Sequence, residues 1–196
     1  MKNYINRIKK YKMISHKLKF IFVHVPKTGG VSVQSQLREY TEEWYGRHNR
    51  IGFYNTKSQT DLCDYFKFTM VRNPWCRIVS CYHFLKKSDV IPNVTFTEWI
   101  TQKKCDSFKT RWECKSSLEW ITIKGHNKMD FVGRFENLES DFKIICERIG
   151  IDNKKLPHVN KSNHKDYQSY YDDTTQQIVK NRYIDEILQF GYRFEK

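Results

Sequence analysis

The chain has 196 residues and a formal net charge of +13, with 39% hydrophobic and 15% aromatic residues. This length and apolar content exclude an intrinsically disordered chain and predict a core large enough for one domain. The positive charge favours an acidic partner, such as a nucleotide, a sulfated or carboxylated glycan, a nucleic acid or an anionic membrane. Charge alone does not choose among these partners, and a solvated lysine-rich surface explains it equally well.

Cysteine spacing and hydropathy argue against a zinc-binding protein and a membrane-spanning protein. The six cysteines include no C-x-x-C pair, which disfavours a zinc site, although Cys105 and Cys114 could close a small loop in an oxidising compartment. No stretch reaches the roughly 18 apolar residues of a membrane span. The sequence therefore predicts a soluble chain, cytoplasmic by default, with residues 1–18 as a basic lead-in and residues 19–196 as a single domain.

The first predicted strand covers residues 20–25 (FIFVHV), a run of β-branched and aromatic residues that ends at Pro26. Lys27, Thr28 and two glycines follow. Apolar residues at i, i+4 and i+7 then predict a helix over residues 30–42. A lysine, a hydroxyl and backbone N–H groups at a helix N-terminus are typical of a phosphate site.

The second predicted strand covers residues 65–71 (YFKFTMV) and ends at an Arg-Asn-Pro sequence. Asn73 is a favourable N-cap and Pro74 a favourable first helical residue, so a helix is expected to begin there. Arg72 then follows directly on the end of the strand, where its guanidinium can bind a phosphate.

Weaker patterns predict short helices over residues 95–101 and 115–123. Residues 130–135 (DFVGRF) predict a third strand. Asn137 is expected to cap the next helix, and Gly150 to end it.

The last predicted helix starts near Asp173, with Gln176 as part of a capping box, and ends before Gly191. Strands that alternate with helices predict a P-loop-like, three-layer α/β fold with a central parallel sheet flanked by helices. In such folds ligands bind at the carboxyl ends of the strands, where Lys27 and Arg72 are placed.

The order of residues in the first loop argues against ATP chemistry. In the Walker A sequence the lysine follows the glycines, whereas here Lys27 precedes them. No apolar strand ends in a clear Walker B aspartate. A nucleotide-kinase-like phosphotransferase is therefore disfavoured, but it remains the first alternative.

Several motifs in matching order resemble those of the sulfotransferases that use 3′-phosphoadenosine 5′-phosphosulfate (PAPS). These motifs are PKTGG, VRNPWCRIVSCY, GRFENLESDF and a tail containing LPHVNKS, YYDDTT and FGYRF. They are similar to the carbohydrate class, sulfotransferase family 2, which includes heparan and chondroitin sulfotransferases. The resemblance implies transfer of a sulfuryl group from PAPS to a hydroxyl or amine of an acceptor. The implied acceptor is an anionic or neutral glycan rather than a nucleic acid, and no metal is required.

The resemblance also implies roles for individual residues. Arg72 and Ser80 would hold the 3′-phosphate of PAPS. The 5′-phosphosulfate would be held by the first loop, which comprises Pro26, Lys27, Thr28, Gly29, Gly30, Val31 and Ser32. A basic loop would close over the nucleotide, with Asn160, Lys161, Ser162 and Lys165. Val31 stands where the family usually has Thr or Ser, and Cys76 where it often has an acidic residue.

Two residues are expected to carry the chemistry. Lys27 can stabilise the negative charge that builds on the bridging oxygen as the 5′-phosphate leaves. A hydroxyl acceptor needs a general base, for which histidine is well suited. Relatives place a histidine between the first helix and the Arg-Asn-Pro strand, and His48 is the only histidine in that part of this sequence. Glu42 and Glu43 are alternatives, whereas His24, which alternates with Phe22 in the strand, is expected to pack in the core.

A third class of function stays open, a non-catalytic protein that binds polyanions through a degenerate nucleotide site. The sequence does not determine the acceptor or the oligomeric state. If a membrane anchor had been removed from the chain, a Golgi or membrane-associated location would apply instead of the cytoplasm.

Overall fold

The structure is a computed structural model that describes residues 13–42, 48–57, 61–102, 107–153, 155–157 and 165–195. The strands are β1 (Ile14–Ser15), β2 (Phe20–Val23), β3 (Phe66–Val71), β4 (Thr122–Ile123), β5 (His126–Asn127) and β6 (Phe131–Arg134). The α-helices are α1 (Gly30–Leu37), α2 (Ile51–Lys57), α3 (Pro74–Lys87), α4 (Phe96–Ile100), α5 (Ser107–Thr110), α6 (Leu118–Ile121), α7 (Leu138–Ile149), α8 (Asp173–Arg182) and α9 (Ile184–Phe190). Short 3₁₀ segments are Arg38–Tyr40, Trp112–Cys114, Phe135–Asn137 and Tyr167–Tyr170.

The central sheet has the strand order β1-β2-β3-β6 and is mostly parallel. Strand β2 pairs in parallel with β3, and β3 pairs in parallel with β6, whereas β1 is antiparallel to β2. All four residues of β2 are buried, as expected for an inner strand that is covered on both faces. The predicted mixed α/β class, with a central sheet flanked by helices, is thereby confirmed.

The carboxyl ends of β2 and β3 lie at the same edge of the sheet, because the two strands are parallel and paired along their length. Val23, the last residue of β2, is in register with Thr69 of β3. The Thr69 hydroxyl donates a hydrogen bond of 2.6 Å to the Val23 carbonyl oxygen, which ties the two strands together at this edge.

The chain divides into two compact units. The described residues of Met1–Val71 and Ser117–Val159 form the first unit, which contains the central sheet, and those of Arg72–Ser116 and Asn160–Lys196 form the second. The core of the second unit is built around α3 and includes the fully buried Trp99. The expectation of a single domain over residues 19–196 stays a prediction.

Two helix boundaries follow directly from local sequence. The Asn73 side-chain oxygen accepts hydrogen bonds from the backbone N–H groups of Trp75 (3.1 Å) and Cys76 (3.5 Å), and Pro74 occupies the first helical position. Gly150 ends α7 in the left-handed conformation, with a φ of 72°. Both boundaries were predicted, since the capping residue in each case acts through its own backbone or side chain.

Other boundaries differ from the prediction. The helix expected over residues 30–42 ends at Leu37 and continues as a 3₁₀ segment. Asn137 precedes α7 but makes no side-chain capping bond, because its ψ of 30° is not the extended conformation that an N-cap adopts. Instead, the Asp141 carboxylate accepts a hydrogen bond of 2.6 Å from the Arg134 backbone N–H.

The C-terminal helix also differs from the prediction, both in its N-terminal cap and in being divided into two helices. The capping box joins Asp172 to Thr175 rather than involving Gln176. Tyr183 interrupts the helix between α8 and α9. The Tyr183 side chain is buried and its hydroxyl donates to the Cys114 carbonyl, so a tertiary contact fixes this break. Gly191 ends α9 as predicted, with a φ of 64°.

Candidate active site

The loop between β2 and α1 has the backbone of an anion-binding site. Lys27 and Gly29 both have positive φ angles, of 65° and 78°, whereas Thr28 between them does not. Alternation of this kind turns successive backbone N–H groups toward one side of the chain. Gly29 is the N-cap of α1 and offers no side-chain cap. The Ser32 N–H donates to the Gly29 carbonyl oxygen at 3.0 Å, and the other N–H groups at this helix start suit an external anion.

The side chains of this loop have separate tasks. Thr28 is fully buried, and its hydroxyl donates a hydrogen bond of 2.9 Å to the Val25 carbonyl oxygen, which closes the loop on itself. Ser32 is buried in the first turn of α1, and Lys27 is half-buried. A side chain at Gly29 would place its Cβ 3.0 Å from Cδ2 of Phe135, so packing as well as backbone conformation requires glycine there.

His48 lies beside the residue that follows β2. Its Nδ1 atom is 2.9 Å from the backbone carbonyl oxygen of His24, and the two imidazole centroids are 4.2 Å apart. Because a carbonyl only accepts hydrogen bonds, Nδ1 carries the proton, and Nε2 is the basic nitrogen of the neutral ring. The Trp120 ring, at 6.1 Å, packs against the same imidazole. The structure thus places His48 in the unit that contains Lys27, in a tautomer suited to a general base.

The two carboxylates considered as alternatives differ from His48 in position. The Glu42 carboxylate accepts a hydrogen bond of 2.8 Å from the backbone N–H of His16, and the Glu42 N–H donates to the Ile14 carbonyl. Glu42 therefore helps to fix β1 to the first unit. Glu43 lies outside the described residues. His48 therefore stays the predicted base.

Arg72 and Ser80 belong to the second unit. Arg72 is 7% exposed, and its Nε and Nη2 atoms donate to the Cys76 sulfur at 3.3 and 3.0 Å. Cys76 thereby orients the guanidinium from one turn into α3, at the position where the family often has an acidic residue. Ser80 is buried further along the same helix. Sequence reasoning identified Cys76 as a departure from the family but not as a partner of Arg72.

The predicted closing loop is described only in part. Lys165 is exposed in the second unit. Asn160, Lys161 and Ser162 lie outside the described residues, so their assigned role stays a prediction.

A buried ion pair in the second unit was not predicted. The side chains of Arg77 and Glu186 are both fully buried and lie 3.6 Å apart, and Arg77 Nη1 also donates to the Glu113 carbonyl oxygen at 3.3 Å. Burial opposes the charge of Arg77, but the Glu186 carboxylate and neighbouring groups outweigh it, so the pKa of Arg77 is raised above its ordinary value. The partners are far apart in the sequence, and no local pattern joins them.

The cysteines of the described residues are free thiols. Cys114 is buried, and its hydrogen bond with Cys81, followed by burial, raises the pKa of its thiol. Cys105, the partner considered for a small disulfide loop, lies outside the described residues.

None of the helices in the described part of the chain combines the length and apolarity that crossing a membrane requires. Within the same residues, no group of three or more His, Cys, Asp or Glu side chains is arranged to hold a metal ion.

The chain is thus a mixed α/β protein in which the turn at the carboxyl end of an inner parallel strand has a backbone suited to an anion. A sequence model described as the sulfotransferase family matches residues 10–193, nearly the whole chain. The chain therefore belongs to the sulfotransferase family, whose fold is P-loop-like. An uncharacterized protein from Archaeoglobus fulgidus is 27% identical over 108 residues, which are 53% of this chain and 83% of that protein. Family membership supports sulfotransfer as the general activity.

Proposed function

We propose that this chain is a PAPS-dependent sulfotransferase that sulfates a hydroxyl or amine of a carbohydrate. The observation that carries the proposal is the β2–α1 loop, whose backbone is left-handed at Lys27 and Gly29 and therefore suits an anion. Membership of the sulfotransferase family supports a phosphosulfate over other anions as the ligand.

We assign one set of donors to each charged end of PAPS. In the first unit, the N–H groups of the β2–α1 loop, the Lys27 ammonium and Ser32 would hold the 5′-phosphosulfate. In the second unit, Arg72 would bind the 3′-phosphate through a forked pair of N–H groups, with the Ser80 hydroxyl as a further donor. Lys165 and the neighbouring residues 160–162 would close over the nucleotide.

Two residues of the chain have roles in the transfer step: Lys27 stabilises negative charge, and His48 accepts a proton. When bound, PAPS provides the sulfuryl group: the acceptor oxygen bonds to sulfur, the bond from sulfur to the bridging oxygen breaks, and adenosine 3′,5′-bisphosphate leaves. Lys27 stabilises the charge left on the bridging oxygen. His48 accepts the acceptor's proton at Nε2, while its Nδ1–H continues to donate to the His24 carbonyl.

The proposed acceptor is a glycan, either anionic or neutral. This assignment rests on the resemblance to the carbohydrate class and on the net charge of +13, which suits an acidic polysaccharide. The charge also supports the rival proposal of a polyanion-binding protein without activity, so the donor must be tested separately from the acceptor.

A thermal-unfolding panel separates the three classes of function. Adenosine 3′,5′-bisphosphate, ADP, ATP with magnesium, and heparin are each added to the wild-type protein. A ligand at 100 times its Kd stabilises the folded state by about 2.7 kcal/mol. We expect the bisphosphate to stabilise most. Preference for ATP with magnesium would indicate a phosphotransferase, and stabilisation by heparin alone would indicate a polyanion binder.

Removal of the lysine tests the chemistry. Lys27→Ala is expected to abolish sulfate transfer from PAPS to desulfated glycans, with a loss of at least about 100-fold, because no other group in the loop carries a positive charge. Lys86→Ala, on the exposed end of α3, is the matched control and should transfer sulfate normally. Full activity in Lys27→Ala, with PAPS as the only donor, would contradict the proposed role.

A further inference from the structure

We infer that His24 is a positioning residue for the base His48, and that Gly30 lacks a side chain in order to admit the His24 ring. The inference rests on the proposed function, since His48 is a base only if the chain transfers a sulfuryl group. It assigns to Gly30 a packing role that is separate from phosphate binding.

The His24 ring extends an aromatic row along one face of β2. Phe20, Phe22 and His24 alternate in sequence and so project to the same side. The His24 ring stacks on Phe22 with centroids 5.7 Å apart and planes at 15°, and Phe22 stacks on Phe68 of β3 at 5.3 Å. His24 is 2% exposed. The imidazole is therefore held by the sheet core rather than by solvent-facing contacts.

Gly30 forms the opposite wall of this space. A Cβ atom added at Gly30 would lie 2.1 Å from Cδ2 and 2.3 Å from Nε2 of His24. Unlike Gly29, Gly30 does not have a positive φ, so its backbone conformation is open to any residue. The imidazole is thus what excludes a side chain at this position.

The placement of His24 decides the state of His48. The His24 carbonyl oxygen receives the Nδ1–H of His48, which keeps Nε2 as the basic nitrogen. When Nε2 takes a proton from the acceptor hydroxyl, the same hydrogen bond stabilises the imidazolium that forms. The His24 ring also packs directly on the His48 ring, with centroids 4.2 Å apart, so loss of the His24 ring would remove a contact that fixes the orientation of His48.

A double-mutant cycle tests the packing step without any measurement of activity. We expect Gly30→Ala to lower the unfolding temperature of the nucleotide-free protein by about 4–8 °C, as overpacking does. In a His24→Ala background the same change should cost little, because the ring that it strikes is gone. Gly52→Ala is the matched control, since the nearest atom to its added Cβ is 3.8 Å away. Equal losses in both backgrounds would overturn the packing role.

A second pair of measurements tests the link to His48. The ¹⁵N shifts of the neutral His48 ring should show a protonated Nδ1, and a protonated Nε2 would overturn the inference. His24→Ala should lower kcat by about 10–100-fold with an almost unchanged KM for PAPS. His24→Phe, which keeps a planar ring against Gly30, should restore most of kcat. If His24→Phe folds with the wild-type stability and is as inactive as His24→Ala, His24 does not act by positioning.

Failure of the proposed function has a different signature. A wild-type chain that transfers no sulfate from PAPS would contradict the sulfotransferase proposal. The coupling between Gly30→Ala and His24→Ala and the tautomer of His48 would still decide whether the two histidines and the glycine act as one unit.

Discussion

The surroundings of Arg72 predict that this side chain distinguishes one nucleotide from another. Its guanidinium is buried and is oriented by the Cys76 sulfur through two N–H groups. A buried guanidinium in a fixed orientation recognises a phosphate by geometry as well as by charge. We therefore expect Arg72 to act on the 3′-phosphate, which adenosine 3′,5′-bisphosphate carries and ADP lacks.

The corresponding variant is Arg72→Ala. In the wild-type protein the bisphosphate should stabilise the fold more than ADP does. Arg72→Ala should remove most of that difference, because the contact that is lost is specific to the 3′-phosphate. Thermal unfolding with each ligand measures the effect, and Arg38→Ala, an exposed arginine, is the control. If Arg72→Ala reduces the stabilisation by both ligands equally, Arg72 does not recognise the 3′-phosphate.

Residue-scale patterns supplied candidates for the site. His48 was chosen as the base because relatives place a histidine between the first helix and the Arg-Asn-Pro strand, and no other histidine stands between Gly30 and Arg72. Its role stays a prediction. The Cys76 contact to Arg72 and the His24 ring against Gly30 were not found. A sequence pattern shows which residue types are present, whereas these two contacts depend on side-chain directions that the fold sets.

At the scale of helices and strands, the sequence correctly predicted a helix start where the N-cap side chain bonds to the backbone of its own helix. Asn73 with Pro74 is such a case. Asn137 was wrongly expected to cap with its side chain. It is the last residue of a 3₁₀ segment, and its ψ of 30° is not the extended value of an N-cap. The break at Tyr183 is a tertiary effect: the buried ring packs beneath Arg77, with the guanidinium 5.2 Å from its centroid. Strand β1 was missed since two residues carry too little periodicity.

The capping box of α8 gives a prediction with a defined pH dependence. The Thr175 backbone N–H donates a hydrogen bond of 2.7 Å to the Asp172 carboxylate. This bond is the main reason why the pKa of Asp172 is lowered from 3.8. A lowered folded-state pKa stabilises the protein above the unfolded pKa, and this stabilisation is lost as pH falls through the folded value.

Asp172→Ala should therefore cost about 1 kcal/mol at pH 7 and progressively less below pH 4. Asp172→Asn keeps a side-chain oxygen acceptor but does not titrate, so its stability relative to the wild type should rise as the pH falls. Urea unfolding at pH 7 and pH 3 measures both variants. A cost of Asp172→Ala that is the same at both pH values would show that the carboxylate charge is not involved.

At the scale of the whole molecule, the net charge of +13 predicts fast, salt-dependent association of the proposed donor. PAPS and its product are multiply anionic, and a strongly positive protein attracts them over a Debye length. The association rate of adenosine 3′,5′-bisphosphate should fall about tenfold as salt rises from about 0.05 to 0.5 M. Stopped-flow binding measures this rate, with the dissociation rate as the internal comparison. A dissociation rate that carries all of the salt dependence would contradict steering by net charge.

The left-handed backbone at Lys27 determines which substitutions at position 27 would stabilise the fold. A residue with a side chain is disfavoured in that conformation by about 1–2 kcal/mol, and glycine is not. Selection for a more stable loop alone would therefore replace Lys27 with glycine and discard the ammonium group with it. Fold stability and the proposed role of Lys27 in sulfuryl transfer thus favour different residues at this position. A stabilised variant of this protein is best sought elsewhere in the chain, with position 27 left as lysine.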